Sequence, residues 1–590
     1  MNRSILCCLV VFLALDGVVV WQLRSGAPPS DSVDSDDRIQ PQPGQKEFEL
    51  DPEIQQEIWE SEHATFEIET HLGRRFVQAV ASRSVDRVVG IFADDLQAGV
   101  LNADSAKPRT LGPLTEWRID AGAESEIAVD RNGLADRLIA SLDPIGEVEG
   151  GRLRVLQIHP VKDRKHEWDV ELLWSAHGIT SAGQSVAVES HHDATVRYVD
   201  HDELLQAATI IRWQVDSRLI RVSDDQLMTE VTSEVGLDQV SLPDNWKLPL
   251  AEQNLFNFQM AVEDYDRDGF LDIVIASGPA GLKPILLKSE QGRRFHDVTS
   301  ESGLTPWSGP SFLVSWIDYD NDGFPDLLLG DRLYHNERGQ SFVDVTETSG
   351  FTLGFNPMSC SVADFDADGL LDLYIIYQVT FAPSEGTVPW VGDDDSGAHN
   401  ELWHNEGNGR FRNITEQAHA SGGGRESMAV TSLFYDGDHF PDLYIANDFG
   451  PNVLLRNLGD GKFEDVSEQA ACSDFATSMG VSSGDLDNDG IAEIYVANIY
   501  SKMGRRIIGP VSADDYPSGV FEQIQGSCAG NTLYRKASLS DPLRELSHSL
   551  EVNAVGWAFA TAMADFNGDG WLDLYGVSGY RSFQRREPDG

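Results

Sequence analysis

The stretch DYDRDGFLD, beginning at Asp264, sets carboxylates at its first, third, fifth and ninth positions and a glycine at its sixth. Alternate side chains of a tight loop turn to one side, so such a stretch gathers several hard oxygen donors around one point. That donor set suits Ca2+, which takes six to eight oxygens at about 2.3–2.6 Å. The carboxylates are Asp264, Asp266, Asp268 and Asp272. The pattern recurs as Asp318, Asp320, Asp322 and Asp326, and again as Asp364, Asp366, Asp368 and Asp372. A fourth good copy has Asp485, Asp487, Asp489 and Glu493, and a fifth has Asp565, Asn567, Asp569 and Asp573. An EF-hand would close with a carboxylate at position 12 and run into a helix. Here position 12 is Ile275, Leu329 or Ile375, and an apolar strand follows.

The copies are unequal. FYDGDHFPD, from Phe434, lacks the first aspartate and has His439 where the glycine belongs, so this loop is expected to hold no ion. Asn567 still offers an oxygen, and Glu493 replaces the closing aspartate. Without metal, four carboxylates in one turn repel and their pKa values rise. Catalysis by such an ion needs an open coordination position and a neighbouring acid or base. No repeat-breaking His, Tyr or Lys stands attached to a loop, so the expected role is structural, with about five Ca2+ sites. No catalytic residue is assigned.

Positioning these loops falls to a repeating strand framework. One companion element reads MTEVTSEVGL (228–237), FHDVTSESGL (295–304), FVDVTETSGF (342–351), FRNITEQAHA (411–420) and FEDVSEQAAC (463–472). Another reads LYHN, LWHN, LLRN and LYRK near 333, 402, 454 and 533. Each unit is thus strand, aspartate loop, buried strand, hairpin, strand. The strands after the loops are nearly continuous apolar runs, and small residues precede the loops, as in AFATAMAD. One such unit cannot bury both faces, so the units must stack. The chain is mainly β: a β-propeller of six visible blades, a seventh being able to hide in divergent sequence. The chain runs out soon after DLYGVSGY without an outer strand, which MTEVT could supply to close the ring.

These motifs resemble the FG-GAP or VCBS-type repeats of integrin α-chain propellers, and more closely the proteins grouped with cartilage acidic protein. DLYIANDFGPNVLLRNLGDGKFEDVSEQA (442–470) carries the resemblance best. It covers residues 228–590 and implies calcium-clamped blades presenting loops to a protein or glycan. The UnbV/ASPIC segment often found after such propellers is not seen.

Before the repeats, residues 47–225 read as a small α+β domain. Leu72, Phe76, Ala79 and Val80 share a helical face, continued after a bend by Val88, Val89 and Phe92. Trp168, Val170, Leu172 and Trp174, then Thr195–Val199, then Ile211, Trp213 and Val215 alternate as half-buried strands do. Helices first and a curved sheet afterwards resembles cystatin-like cones, whose concave face can hold a ligand. His159, His166, His177, His191, His192 and His201 have no ligand spacing and read as scattered surface and strand residues.

The net charge of −52 over 590 residues excludes nucleic acid as a partner, since phosphates would be repelled. Residues 1–25 read as a cleaved signal or a membrane anchor, with Ile5–Leu23 apolar except at Asp16. Residues 26–46, rich in Pro, Ser and Asp, read as a disordered linker, and 226–590 as the propeller domain. The protein is therefore expected to be exported: periplasmic, cell-surface or secreted, with residues 5–23 as the membrane anchor where the signal is not cleaved. Cys360, Cys472 and Cys528 allow one disulfide, Cys472 with Cys528, or three free thiols. The long interruptions 378–400 and 500–528 carry Trp390, Tyr516, Phe521, Lys502, Arg505 and Arg506, suited equally to recognition and to edge packing. Asn413-Ile-Thr415 fits a glycosylation sequon.

The expected function is protein or glycan binding with calcium in a structural role. The alternatives are a glycan-active hydrolase or lyase, and an envelope scaffold. FADDL (92–96) is the only paired-carboxylate stretch noted near the cone, and it reads as a helix end.

Overall fold

A computed structural model describes residues 52–101, 107–111, 114–120, 126–162, 164, 166–197, 208–223, 229–240, 258–277, 283–305, 312–354, 357–378, 399–500, 513–515 and 520–579. The expectations for residues 1–46, His201, Trp390, Lys502, Arg505, Arg506 and Tyr516 fall outside these. The protein is mainly β, and the chain divides into two compact units, one built chiefly from residues 47–230 and the other from residues beyond 231.

In the first unit, α1 (Pro52–Glu67), a π turn (Ile68–Gly73), α2 (Arg74–Ala81) and α3 (Val85–Val89) precede the sheet. Leu72, Phe76, Ala79, Val80 and Val88 are all buried, as their spacing predicts. The strands are β1 (Phe92–Leu101), β2 (Pro108–Leu111), β3 (Leu114–Asp120), β4 (Glu126–Val129), β5 (Glu147–Pro160), β6 (Glu167–Ile179), β7 (Ser185–Arg197) and β8 (Thr209–Ser223). Between β4 and β5 lies α4 (Arg131–Ala140), whose first turn is capped by Asp130 accepting from the Gly133 N–H. The main path of the sheet runs β2-β3-β8-β7-β6-β5. Its apolar face packs on the helices, with the Phe76 ring stacked on Trp213 at 5.4 Å and edge-on to Trp174 at 5.8 Å. FADDL opens β1 and is no helix end. Its Asp94 and Asp95 pair with Arg131 and Arg197, two exposed carboxylates held apart by separate arginines.

The second unit is a series of antiparallel sheets, each entered through one aspartate loop. The first is β9 (Phe258–Glu263), β10 (Asp272–Ser277), β11 (Ile285–Glu290) and β12 (Arg294–Asp297). The second is β13 (Val314–Ile317), β14 (Asp326–Leu329), β15 (Arg332–Asn336) and β16 (Phe342–Asp344). The third is β17 (Pro357–Ala363), β18 (Asp372–Tyr377), β19 (Glu401–Asn405) and β20 (Phe411–Asn413). The fourth comprises β21 (Glu426–Leu433), β22 (Asp442–Pro451), β23 (Val453–Asn457) and β24 (Phe463–Asp465). The fifth comprises β25 (Phe475–Gly484), β26 (Glu493–Asn498), β27 (Thr532–Arg535) and β28 (Arg544–Glu545), and β22 pairs with β25 to join the two. The sixth has only β29 (Ala558–Ala564) and β30 (Asp573–Ser578).

Three of the strands that follow the loops are buried on both faces, every residue of β14, β18 and β26 being buried, whereas β10 alternates and β30 is half-buried or exposed throughout. The first strands of successive sheets crowd together, which explains their small residues. A Cβ on Gly480 would meet the Phe559 carbonyl at 2.8 Å and Ala560 Cα at 3.0 Å. Ser482 and Thr561 hydroxyls meet across the same gap at 2.8 Å.

The DVT element is a turn, built the same way each time. In Asp297-Val298-Thr299 the aspartate accepts the Thr299 N–H, and the Thr299 hydroxyl accepts the Leu286 N–H. Asp344 and Thr346, Asn413 and Thr415, and Asp465 and Ser467 repeat the arrangement. The sequon Asn413-Ile-Thr415 is thereby accounted for as a turn of this kind. Each turn closes through one residue in the left-handed region: Gly236, Gly303, Gly350, His419, Ala471 and, in a sixth copy at 546–552, Glu551.

Residues 229–240 form a turn and no strand, and the Val235 carbonyl accepts from Phe295 in β12 of the first sheet. This turn matches the other DVT turns, and Met228 and the residues just before it, where an outer strand for the last sheet would run, lie outside the described residues. Of the two cysteine alternatives the structure has the one without a disulfide: Cys360, Cys472 and Cys528 are not cross-linked, and burial pushes the Cys360 thiol up to about 11.

Candidate metal centres

Each aspartate loop links the first strand of its sheet to the second, and one carboxylate organises it. Asp264 accepts the N–H groups of Asp268 at 3.0 Å and Gly269 at 2.8 Å. Asp364 does the same for Asp368 and Gly369, Asp485 for Asp489 and Gly490, and Asp565 for Asp569 and Gly570. Asp318 accepts from Gly323. The sixth-position glycines have φ of 87–92° with open space around them, so the backbone and no neighbour demands glycine. The fourth position is also left-handed, at Arg267, Asn321, Ala367 and Asn488, a constraint the residue types conceal.

The ninth-position carboxylates lie deepest. Asp272, Asp326 and Asp442 are wholly buried, Asp372 and Glu493 nearly so. One oxygen accepts the N–H of the second loop residue: Tyr319 to Asp326, Phe365 to Asp372, Leu486 to Glu493 and Phe566 to Asp573. The other takes an N–H from the third strand, as Asn336 to Asp326 and Asn405 to Asp372, both at 2.7 Å. The asparagines of LYHN, LWHN and LLRN continue the chain of bonds into the preceding loop. Asn336 donates to Tyr265 O, Asn405 to Tyr319 O and Asn457 to Phe365 O. Lys536 of LYRK replaces the asparagine and donates to Tyr435 O.

Burial pushes these carboxyls up: Asp272 to about 6, Asp326 to about 7, Asp372 to about 6 and Asp442 to about 7. Burial also raises Asp318 and Glu493, whereas backbone N–H donors, Gly570 first, lower exposed Asp565.

The loops gather the expected residues as follows. Asp264, Asp266 and Asp272 bring oxygens within 4.8 Å of one another, as do Asp318, Asp320 and Asp322, and Asp364, Asp366 and Asp368. Asp268 turns its carboxylate to the Phe270 N–H. Asp487, Asp489 and Glu493 converge on one guanidinium, that of Arg535. Asp565, Asn567 and Asp569 form an exposed loop around backbone N–H groups, with Asp573 partly buried beneath. In the degenerate loop Phe434 is exposed and supplies no acceptor, and His439 is not left-handed.

The residues test positively for a cation. Buried oxygens with no hydrogen-bond partner remain on Asp266, Asp272, Asp318, Asp487 and Glu493. Anionic acceptors so placed are costly without positive charge. Part of that charge comes from side chains the sequence reading passed over. Lys288 reaches Asp266 and Asp268, and Arg535 reaches Asp487. His335 Nδ1 stands 3.3 Å from Asp320 and 3.2 Å from Asp326, and His404 Nδ1 3.5 Å from Asp366 and 3.2 Å from Asp372. Their signal was visible: each occupies the position just before the asparagine, or its equivalent, in the LYHN-type element. In the fourth sheet Arg456 turns instead to Glu464, away from the incomplete loop.

Three stretches that carry the repeated loop, turn and asparagine tie, residues 264–329, 330–375 and 435–496, match the model of the FG-GAP-like repeat. Among characterised proteins the chain is related to cartilage acidic protein 1. It is 25% identical to the human protein over 376 residues, covering 54% of this chain and 55% of that protein. The mouse protein is 25% identical over 378 residues, covering 54% and 57%. The chain thus matches little more than half the length of these relatives. A solved structure of a proposed aromatic ring hydroxylase from Novosphingobium aromaticivorans aligns at 11% identity, covering 27% of this chain and 88% of that one. The TM-score is 0.17, and nothing is built on it.

Proposed function

We propose that the protein is an exported calcium-binding propeller that displays its loops to an extracellular protein or glycan, with calcium holding the blades in shape. The observation that carries the calcium reading is the set of unpartnered buried oxygens on Asp266, Asp272, Asp318, Asp487 and Glu493. Asp264, Asp318, Asp364, Asp485 and Asp565, with the third-, fifth- and ninth-position residues of each loop, are the ligands. Bound calcium supplies the charge that Lys288 and Arg535 otherwise bring. The ties from each asparagine to the preceding loop, and the crowded first strands, support a ring of blades stacked in chain order. Structural ions fit better than catalytic ones, since the ninth-position residues also bind backbone N–H groups of the loop or the third strand, which ties an ion to the hairpin.

Export follows from the apolar Ile5–Leu23 segment, outside the described residues, and from an acidity suited to a calcium-rich medium. Among the described residues no helix is long and apolar enough to cross a membrane.

Thermal melts of the full chain in chelator and in millimolar calcium test the reading. Each native-only site adds about 2.7 kcal/mol at a hundredfold excess over its Kd. A large rise specific to calcium over magnesium is expected; coincident melts overturn it.

A further inference from the structure

The first unit holds a group of buried hydrogen-bond donors with no acceptor. In the ladder between β7 and β8, Ala194 faces Trp213, His192 faces Val215, and Ser190 faces Arg218. Cross-strand partners point to one face, and the bulge beside His192 keeps Arg218 on that face despite its odd spacing from Trp213. It is the core face: Ser190, His192, Trp213 and Val215 are all buried. Val188 and Ile220, the next pair along, belong to the same core. His192 and Trp213 rings lie 4.3 Å apart.

Trp213 Nε1, Arg218 Nε and both ring nitrogens of His192 have no hydrogen-bond partner. The Ser190 hydroxyl is already given to Ser217 O. Arg218 is half-buried with its Nε shielded from solvent and unpartnered, which is unfavourable, and its charged neighbours here make matters worse. Burial and Arg137 of α4 lower the Arg218 pKa, and burial, Arg218 and His191 lower that of His192, so the charged neighbours are all basic. Among the described residues no carboxylate pairs with Arg218. In a chain of net charge −52, a basic cluster without a paired carboxylate among the described residues stands out.

We infer that Arg218, His192 and Trp213 form a binding site for a compact oxyanion, a carboxylate or a sulfate-like group, on the core face of the first unit's sheet. The anion receives the guanidinium N–H, the indole N–H and the single N–H of a neutral imidazole. The fork of the guanidinium suits a two-oxygen acceptor. This site is independent of the calcium loops.

The test uses the full chain and two probes, sodium acetate and sodium sulfate, with ionic strength held constant by chloride. Tryptophan emission and the melting midpoint are followed as each probe rises. A saturable change with at least one probe is expected, weakened about tenfold or more in Arg218→Met and less so in Arg218→Lys, which keeps the charge but loses the fork. Acetate alone assigns the carboxylate, and sulfate alone the tetrahedral anion. Should Arg218→Met fail to fold, His192→Phe carries the same comparison. No saturable response, or an equal response in wild type and variant, overturns the assignment.

Discussion

Replacing Asn405 with alanine should cut one tie between successive sheets without touching a proposed calcium ligand. Asn405 is fully buried and its side chain makes three hydrogen bonds. Nδ2 donates to Tyr319 O at 2.8 Å and Leu371 O at 3.1 Å, and Oδ1 accepts from Gly407 at 3.0 Å. The backbone N–H to Asp372 survives the change. Two carbonyls lose their donor, and each buried polar group so stranded costs about 1–3 kcal/mol. A loss of about 3–4 kcal/mol is the central expectation, read as a fall in the urea midpoint at unchanged slope. Asn405→Ser should cost less, because Ser289 at the equivalent place keeps a hydrogen bond from Gly292 and its own N–H bond to Asp272. A loss below about 1 kcal/mol for Asn405→Ala, or serine and alanine costing the same, would refute the claim that this side chain ties loop to loop.

The pH dependence of the metal-free protein follows from the raised carboxyls. Asp272, Asp326, Asp372 and Asp442 hold protons in the folded state that the unfolded chain releases near pH 4, so their contribution is lost as pH rises through about 6 to 7. Chelated protein should therefore melt higher at pH 5 than at pH 8, and added calcium should raise the midpoint more at pH 8; melts at both values check this. Lys288→Met should destabilise the chelated protein yet tighten calcium at the first loop a few-fold, since a part-buried ion pair is lost but a competing charge is removed; calorimetric titration reads both. Gly369→Ala should cost about 1–2 kcal/mol through its φ of 90° alone, the space being open, as denaturant unfolding would show.

The aspartate loops were legible because their function needs particular residue types at fixed offsets. Their strand neighbours were legible because strands buried on both faces must be apolar throughout. What escaped was fixed by backbone geometry that several residue types satisfy. Arg267, Asn321, Ala367 and Asn488 share one left-handed conformation and nothing else, and LSHSLEV (546–552) repeats a turn whose glycine has become Glu551. FADDL misread as a helix end because charge pairs have no period; only Arg131 and Arg197, distant in sequence, place it in a strand. The buried role of His192 was hidden for the same reason: an alternating strand does not announce which of two adjacent histidines, His191 or His192, faces inward.

Calcium counting tests the central claim most directly. The full chain, dialysed against calcium at a concentration well above the expected Kd and then freed of unbound ion, is analysed for metal per chain, alongside a variant with Asp264, Asp318, Asp364, Asp485 and Asp565 all changed to asparagine. The account predicts about five calcium ions in the native chain and a near-complete loss in the variant. A native chain carrying no calcium, or a variant binding as much as the native chain, would contradict it.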